Sequence, residues 1–253
     1  MLSKTIRQFS TYIPKGRLNG KVAVVTASTD GIGFAIAKRL AQEGAKVVIS
    51  SRKQANVDKA LSTLAAEGLS SNVVATVCNV SKAEDRKIMF DKVKSLGGLD
   101  ILISNAAANP EVGPVKFFKC SERAWDKTFD TNVKAAYLLA KEALPLLRER
   151  GGGRIMFVSS IGAYQPLSIL GVYSITKTAL LGLTKNVAHD LATENITITQ
   201  DSSTAEQALS QIPMRKFGHV NDIAGVAAFL ASDDANYITG ETIVAAGGMV
   251  SHL

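Results

Sequence analysis

The sequence predicts an α/β fold, a single doubly wound parallel sheet with helices on both faces. Two observations predict it. From Lys21 onward, short Val/Ile-rich runs alternate with helical patterns. Continuous apolar runs of this kind suit strands buried on both faces of a parallel sheet. The first run also leads straight into a glycine-bearing turn, Thr26-Ala-Ser-Thr-Asp-Gly31-Ile-Gly33, that opens a helix. With 253 residues, no linker and no internal repeat, the chain reads as one domain over 21–253, preceded by an arm over 1–20.

The elements follow in order. Lys21–Thr26 is the first strand. A helix runs from about Gly33 to Glu43 and stops at Gly44. Lys46–Ser50 is the second strand, followed by a helix over Val57–Glu67 that stops at Gly68. Val73–Val80 is the third. Ser81-Lys-Ala-Glu84 matches a capping box and predicts a helix that ends at Gly97-Gly98. Leu99–Ser104 is the fourth strand. A long helix covers Ser121–Arg150, with Pro145 expected to bend or divide it. Arg154–Ser159 is the fifth strand, and a helix through Tyr173 continues to about Glu194. Ile196–Thr199, a helix over Asn221–Ser232 and a strand at Thr242–Ala245 complete the set.

Bulk properties narrow the function. The net charge is +7, but Lys4, Arg7, Lys15 and Arg17 supply four of those charges in an acid-free first twenty residues. The rest carries +3 with both signs interleaved, which is a solvated surface and not a nucleic-acid stripe. Cys78 and Cys120 have no ligand-spaced partners, and His189, His219 and His252 are scattered. No disulfide framework and no metal site are expected. Ile155–Thr176 is uncharged, but Pro166, Gly162, Gly171 and several serines interrupt it, so no membrane span is expected. The basic N-terminus resembles a mitochondrial transit peptide. The final Ser251-His252-Leu253 resembles a peroxisomal address, and the two signals conflict.

Two features carry chemistry. The turn Ala27, Ser28, Thr29, Gly31, Ile32, Gly33 offers backbone N–H groups at a helix N-terminus, the place where α/β sheets hold a dinucleotide pyrophosphate. At the end of the second strand stand Ser51, Arg52 and Lys53, with no acid to hold a ribose 2′-hydroxyl. An arginine fork grips a 2′-phosphate, so NADP(H) is expected. The second feature is the spacing Ser160, Tyr173, Lys177. Tyr173 and Lys177 are four apart, one face of a helix. A neighbouring ammonium is expected to lower the phenol pKa and make Tyr173 a proton donor or acceptor near neutrality.

Together with Asn105-Ala-Ala and Asn132-Val, these motifs occur in the order of the short-chain dehydrogenase/reductase family, which the chain resembles over Lys21 to about Ile198 and Arg215 to Leu253. The phrases Ser-Ser-Arg-Lys-Gln and Tyr-Ile-Thr-Gly-Glu-Thr are similar to its branch of peroxisomal NADPH-dependent carbonyl and retinal reductases. The resemblance implies a Rossmann fold and reduction of small or lipophilic carbonyl compounds. It implies that Tyr173 gives a proton to the substrate oxygen, Ser160 hydrogen-bonds that oxygen, and Lys177 binds the nicotinamide ribose. It also implies that Asn132 shapes its helix to hold a relay water, that Asn105 and Ala106 line the cofactor cleft, and that Asn79 and Val80 meet the adenine. Homodimers or homotetramers are common in the family.

Three departures stand out. Ala27 replaces the usual first glycine, which is tolerable if that residue keeps a negative φ. Asn79 stands where many members have aspartate. After the sixth strand the family's Pro-Gly segment is absent, and the stretch over 199–214 is short. That stretch normally covers the nicotinamide. A second reading therefore stays open: a reductase-like chain that binds NADP(H) or a partner without turnover.

Overall fold

The computed structural model describes residues 16–111, 117–165, 170–203 and 212–249. The first fifteen residues, positions 204–211 of the short stretch, and the Ser251-His252-Leu253 tripeptide lie outside them. Seven strands form one sheet in the order β3-β2-β1-β4-β5-β6-β7, all parallel. They are β1 (Val22–Val25), β2 (Lys46–Ser51), β3 (Val73–Val77), β4 (Ile101–Ser104), β5 (Gly153–Ser160), β6 (Ile196–Ser203) and β7 (Glu241–Val244). The helices are α1 (Gly31–Gln42), α2 (Gln54–Ala66), α3 (Ala83–Ser95), α4 (Glu122–Phe129), α5 (Ala135–Glu149), α6 (Val172–Leu191) and α7 (Val220–Ala231).

Strand side chains alternate between faces, and both faces are covered. Ala23, Val25, Ile101 and Ile103 pack with Ile36 and Leu40 of α1 and with Ile223 and Ala227 of α7. Val22, Val24, Leu102 and Phe157 pack on the other side with Val93 of α3, Leu139 of α5 and Leu180 of α6. This is why the strands read as unbroken apolar runs. The sheet is doubly wound about β1, whose neighbours are β2 and β4. The crevice beyond the carboxyl ends of β1 and β4 is the switch point where ligands bind in such sheets.

Three expected details differ. Lys82, not Ser81, is the N-cap of α3, and no side chain caps it. Asp85 instead accepts from the Asn79 N–H at 2.8 Å, and Ser81 turns to Thr131. Pro145 does not divide the long helix, because α5 runs through it to Glu149. The residue lies on the exposed side, where the carbonyl it cannot bond meets water. The division falls earlier, at a π-helical turn over Asp130–Lys134. Finally, β6 is longer than expected. It keeps register with β5 from Gly153↔Ile196 to Ser160↔Ser203.

Candidate active site

The first wall of the cleft is the β1–α1 turn. The Asp30 side chain caps α1 by accepting from the Gly31 N–H at 2.8 Å. Gly31 sits at φ +58°, and Gly33 has no room for a side chain. A Cβ there would clash with Asn105 Nδ2 and with the Ala27 carbonyl oxygen. That condition is not met, because Ala27 adopts a φ of +50°. The tether explains how: the Asn105 side-chain amide donates to the carbonyls of Thr26 and Ala27, both at 3.0 Å. The Thr26 hydroxyl accepts from the Asn105 and Ala106 N–H groups, each at 3.0 Å. The ends of β1 and β4 are thereby laced together, and the turn is held in the left-handed region.

Ala27, Thr29, Asp30 and Arg52 face Val80, Asn79 and Ala106–Ala108 across this cleft. Ser28 is fully buried. Its hydroxyl donates to Val25 O at 2.6 Å and accepts from the Ser50 N–H at 3.0 Å. Its hydrogen bonds therefore join β1 to β2. Ile32 packs against the α1 side of the core. Ser51 accepts at 3.5 Å from Asn56, and Arg52 is exposed at the cleft edge. The donor set fits a nicotinamide dinucleotide. An α1 N-terminus stands in the middle of the wall, an exposed guanidinium stands at one end, and no carboxylate follows β2.

The second cluster stands at the carboxyl end of β5 and the first turns of α6. Ser160 ends β5 and accepts from the Gly162 N–H at 3.1 Å. Its hydroxyl also acts to lower the pKa of the Tyr173 phenol. Lys177, one turn beyond Tyr173, is 2% exposed and donates to the Val158 carbonyl at 2.7 Å. Its Nζ lies 5.4 Å from the centre of the Tyr173 ring, within cation–π range. Asn132 is buried in the π turn. It accepts from Ala108 N at 2.7 Å, and its amide donates to Ala108 O at 3.0 Å and to Thr176 Oγ1 at 2.9 Å. Thr176 in turn donates to the Tyr173 carbonyl at 2.7 Å.

Burial governs the charges. The Tyr173 phenol is pushed up to about 12, chiefly by burial, and the Ser160 hydrogen bond opposes this only in part. Burial pushes the Lys177 ammonium down to about 8. The expected lowering of the Tyr173 pKa by Lys177 is therefore not found in this arrangement. The ammonium lies over the ring and is bonded to Val158 O, while burial disfavours the charged form of both groups. At neutral pH Tyr173 is a neutral phenol and Lys177 is mostly protonated.

Comparison with known proteins follows the same geometry. A family model described as Enoyl-(Acyl carrier protein) reductase matches residues 26–250. Dehydrogenase/reductase SDR family member 4 of Bos taurus is 51% identical over 253 aligned positions, which cover 93% of this chain and 89% of that one. The chain belongs to the short-chain dehydrogenase/reductase family. The Homo sapiens protein of the same description is 49% identical, with 93% and 90% covered. Tropinone reductase-like 3 of Erythroxylum coca is 45% identical, with 94% and 96% covered. A solved structure of a putative short-chain alcohol dehydrogenase from Sinorhizobium meliloti superposes with a TM-score of 0.86 at 32% identity, covering 95% of this chain and all of that one. The Bos taurus alignment is as long as this chain yet uses only 93% of it, so this short-chain reductase carries gaps against that relative.

Of the sequence-selected residues, Ala27, Thr29, Ser51, Arg52, Asn79, Val80 and Ala106 line one cleft, while Asn132, Ser160, Tyr173 and Lys177 form a second group, joined to that cleft by the Asn132–Ala108 hydrogen bonds. Sequence reasoning missed the residues that bind these groups together. Thr26 laces the turn to Asn105, and Thr176 bridges Asn132 to the Tyr173 backbone. Thr176 had a signal, since it shares the first turns of α6 with Tyr173 and precedes Lys177 directly. Lys127 and Thr131, which line the Val80 side of the cleft, had none. Among the described residues no helix is long and apolar enough to cross a membrane, and no group of three metal-ligating side chains converges.

Proposed function

We propose that this short-chain dehydrogenase/reductase is an NADPH-dependent carbonyl reductase. It would turn lipophilic aldehydes, ketones, dicarbonyls, retinal or quinones into alcohols. The observation that carries the reading is Tyr173, a neutral, half-buried phenol whose pKa the Ser160 hydroxyl acts to lower, at the carboxyl edge of the sheet with Lys177 over its ring. Bound NADPH supplies the hydride to the carbonyl carbon. Ser160 and Tyr173 hold the substrate oxygen between two hydroxyls, and the Tyr173 proton passes to that oxygen as its negative charge develops. Lys177 keeps a positive charge over the ring of the phenolate so formed. Asn132 and Thr176 fix the first turn of α6 so that Tyr173 reaches the cleft.

The choice of NADPH rests on Arg52. Its exposed guanidinium at the cleft edge makes no ion pair among the described residues, and no acid follows β2. Arg52→Asp should raise the Michaelis constant for NADPH far more than for NADH. Equal effects on the two cofactors would sink the assignment. Tyr173→Phe should abolish turnover of a diketone while NADPH still binds.

The second reading, nucleotide binding without turnover, is favoured by one observation. Only residues 204–211 separate the end of β6 at Ser203 from Ile212, and the family's Pro-Gly is absent. An open site lets water compete for the reaction. NADPH fluorescence that changes on binding, with no consumption of NADPH beside a panel of diketones and quinones, would decide for this reading. We further place the protein in peroxisomes through Ser251-His252-Leu253, with the mitochondrion as the alternative. Imaging of a tripeptide deletion that keeps its distribution would rule the first out. A homodimer or homotetramer is expected through α5 and α6, where Tyr137, Leu144 and Val187 line an apolar groove. A monomer mass by light scattering would refute it.

A further inference from the structure

We propose that Arg86 and Glu142 are positioning residues for the adenine half of the cofactor, an inference that rests on the dinucleotide reading above. Asn79 and Val80 form the cleft wall beyond β3. This wall is irregular backbone, so its place must be set by what its polar groups bond. Asp85 of α3 accepts from the Asn79 N–H at 2.8 Å. Arg86, the next residue, donates from Nη1 to the Val80 carbonyl at 2.8 Å.

Arg86 is only 3% exposed, and a buried guanidinium needs a matched partner. Glu142 of α5 provides it, accepting from Nε at 3.0 Å and from Nη2 at 2.8 Å. A guanidinium is rigid and planar. Fixing two of its nitrogens on Glu142 therefore fixes the third, Nη1, and with it the Val80 carbonyl. The position of the wall is thus dictated from α5, the helix that continues from the π turn of Asn132. A second bond joins the same parts. The Ser81 and Thr131 hydroxyls meet at 3.4 Å, and Thr131 both lines the cleft and precedes Asn132. An ion pair that served the core alone would not need its free nitrogen on a cleft-wall carbonyl.

Arg86→Met, Arg86→Lys and Glu142→Gln test this. Calorimetry would measure binding of NADP+ and of adenosine 2′,5′-bisphosphate, which carries the adenine half alone. Arg86→Met should weaken both by a similar factor, about tenfold, the loss of one charge-assisted hydrogen bond at the wall. The turnover rate at saturating NADPH should stay within about twofold, because nothing at Tyr173 has moved. Arg86→Lys should recover part of the affinity, since an ammonium reaches Val80 or Glu142 but does not hold both in one plane. Unchanged affinity for both ligands, with only a lower melting temperature, would overturn the proposal. So would a fallen turnover rate at unchanged affinity. If Arg86→Met does not fold, Glu142→Gln carries the test with a smaller loss of about threefold, since it keeps a neutral hydrogen bond. A wild-type protein that binds neither ligand would count against the dinucleotide reading and take this inference with it. Normal wild-type binding with unaltered variants would count against this inference alone.

Discussion

Ala27→Gly is expected to stabilise the protein, although it removes a side chain. Ala27 sits at φ +50° and is exposed. A residue with a Cβ in the left-handed region pays roughly 1–2 kcal/mol for the approach of Cβ to its own carbonyl. Glycine removes that strain but gives the unfolded chain more freedom, which costs about 0.4–1 kcal/mol. The methyl is exposed, so little packing is lost, and the Asn105 amide bonds the Ala27 carbonyl, an atom that glycine also has. The net gain is on the order of 0.7 kcal/mol, or about 2 °C in melting temperature for a chain of this size. Differential scanning calorimetry without cofactor would read it. A fall of a degree or more would show that the methyl packs or that the turn is unstrained, and the reasoning would fail. Ala27→Val gives the opposite sign as a control, because a β-branched side chain tolerates positive φ least.

Other outcomes follow from the same geometry. Gly33→Ala should destabilise by about 1–3 kcal/mol, as overpacking does, because its Cβ meets the Ala27 carbonyl and the Asn105 amide. A denaturant midpoint at the wild-type value would contradict it. Thr176→Val should lower the turnover rate more than it raises the Michaelis constant for NADPH, since it unties the Tyr173 backbone from Asn132 without touching the cofactor cleft. Reductase activity should fall as pH rises through about 8, where Lys177 loses its charge, while Tyr173 stays protonated until about 12. Lys177→Arg should abolish that limb, and a profile flat to pH 10 in the wild type would refute the assignment. The same groups act on stability with opposite signs. Lys177, lowered from 10.5, carries a burial penalty that is fully present below pH 8 and relieved as pH rises towards 10.5. Tyr173, raised from 10, contributes stability below pH 10 that is lost as pH climbs towards 12.

Much of this architecture was legible because it depends on local pattern. The alternation of Val/Ile runs with amphipathic stretches carried all seven strands, and the Gly31–Gly33 turn carried the switch point. What escaped depends on contacts between distant segments. The φ of Ala27 is set by Asn105, 78 residues away. The Ser81 box looked complete as a sequence signature, yet Ser81 went to Thr131, 50 residues on, and Asp85 took the Asn79 amide instead. The pKa of Tyr173 was misjudged because spacing places Lys177 beside it but does not say which atom the ammonium faces. Its bond to Val158 O, 19 residues back, decides that.

The short segment after β6 divides the functional question at a definite place. Every strand pairing in the sheet survives it, and β6 stays in register with β5 as far as Ser203. On the far side the chain returns at Ile212, which is buried with Ile161, Ala246 and Met249. The return is tight. Met214 N donates to Gly247 O at 3.1 Å, and a Cβ on Gly247 would lie 2.7 Å from Ile212. Ile161 follows Ser160 directly, so this seam anchors the carboxyl end of β5. Among the described residues, none that lines the cleft, from Ala27 to Val80, Ala108 and Thr131, lies downstream of it. On the proposed function, nucleotide affinity is expected to rest chiefly on these cleft residues before β6. Grafting a relative's full-length segment between Ser203 and Ile212 should then raise turnover with little change in NADPH affinity. A graft that shifts affinity and leaves turnover unchanged would reverse this division.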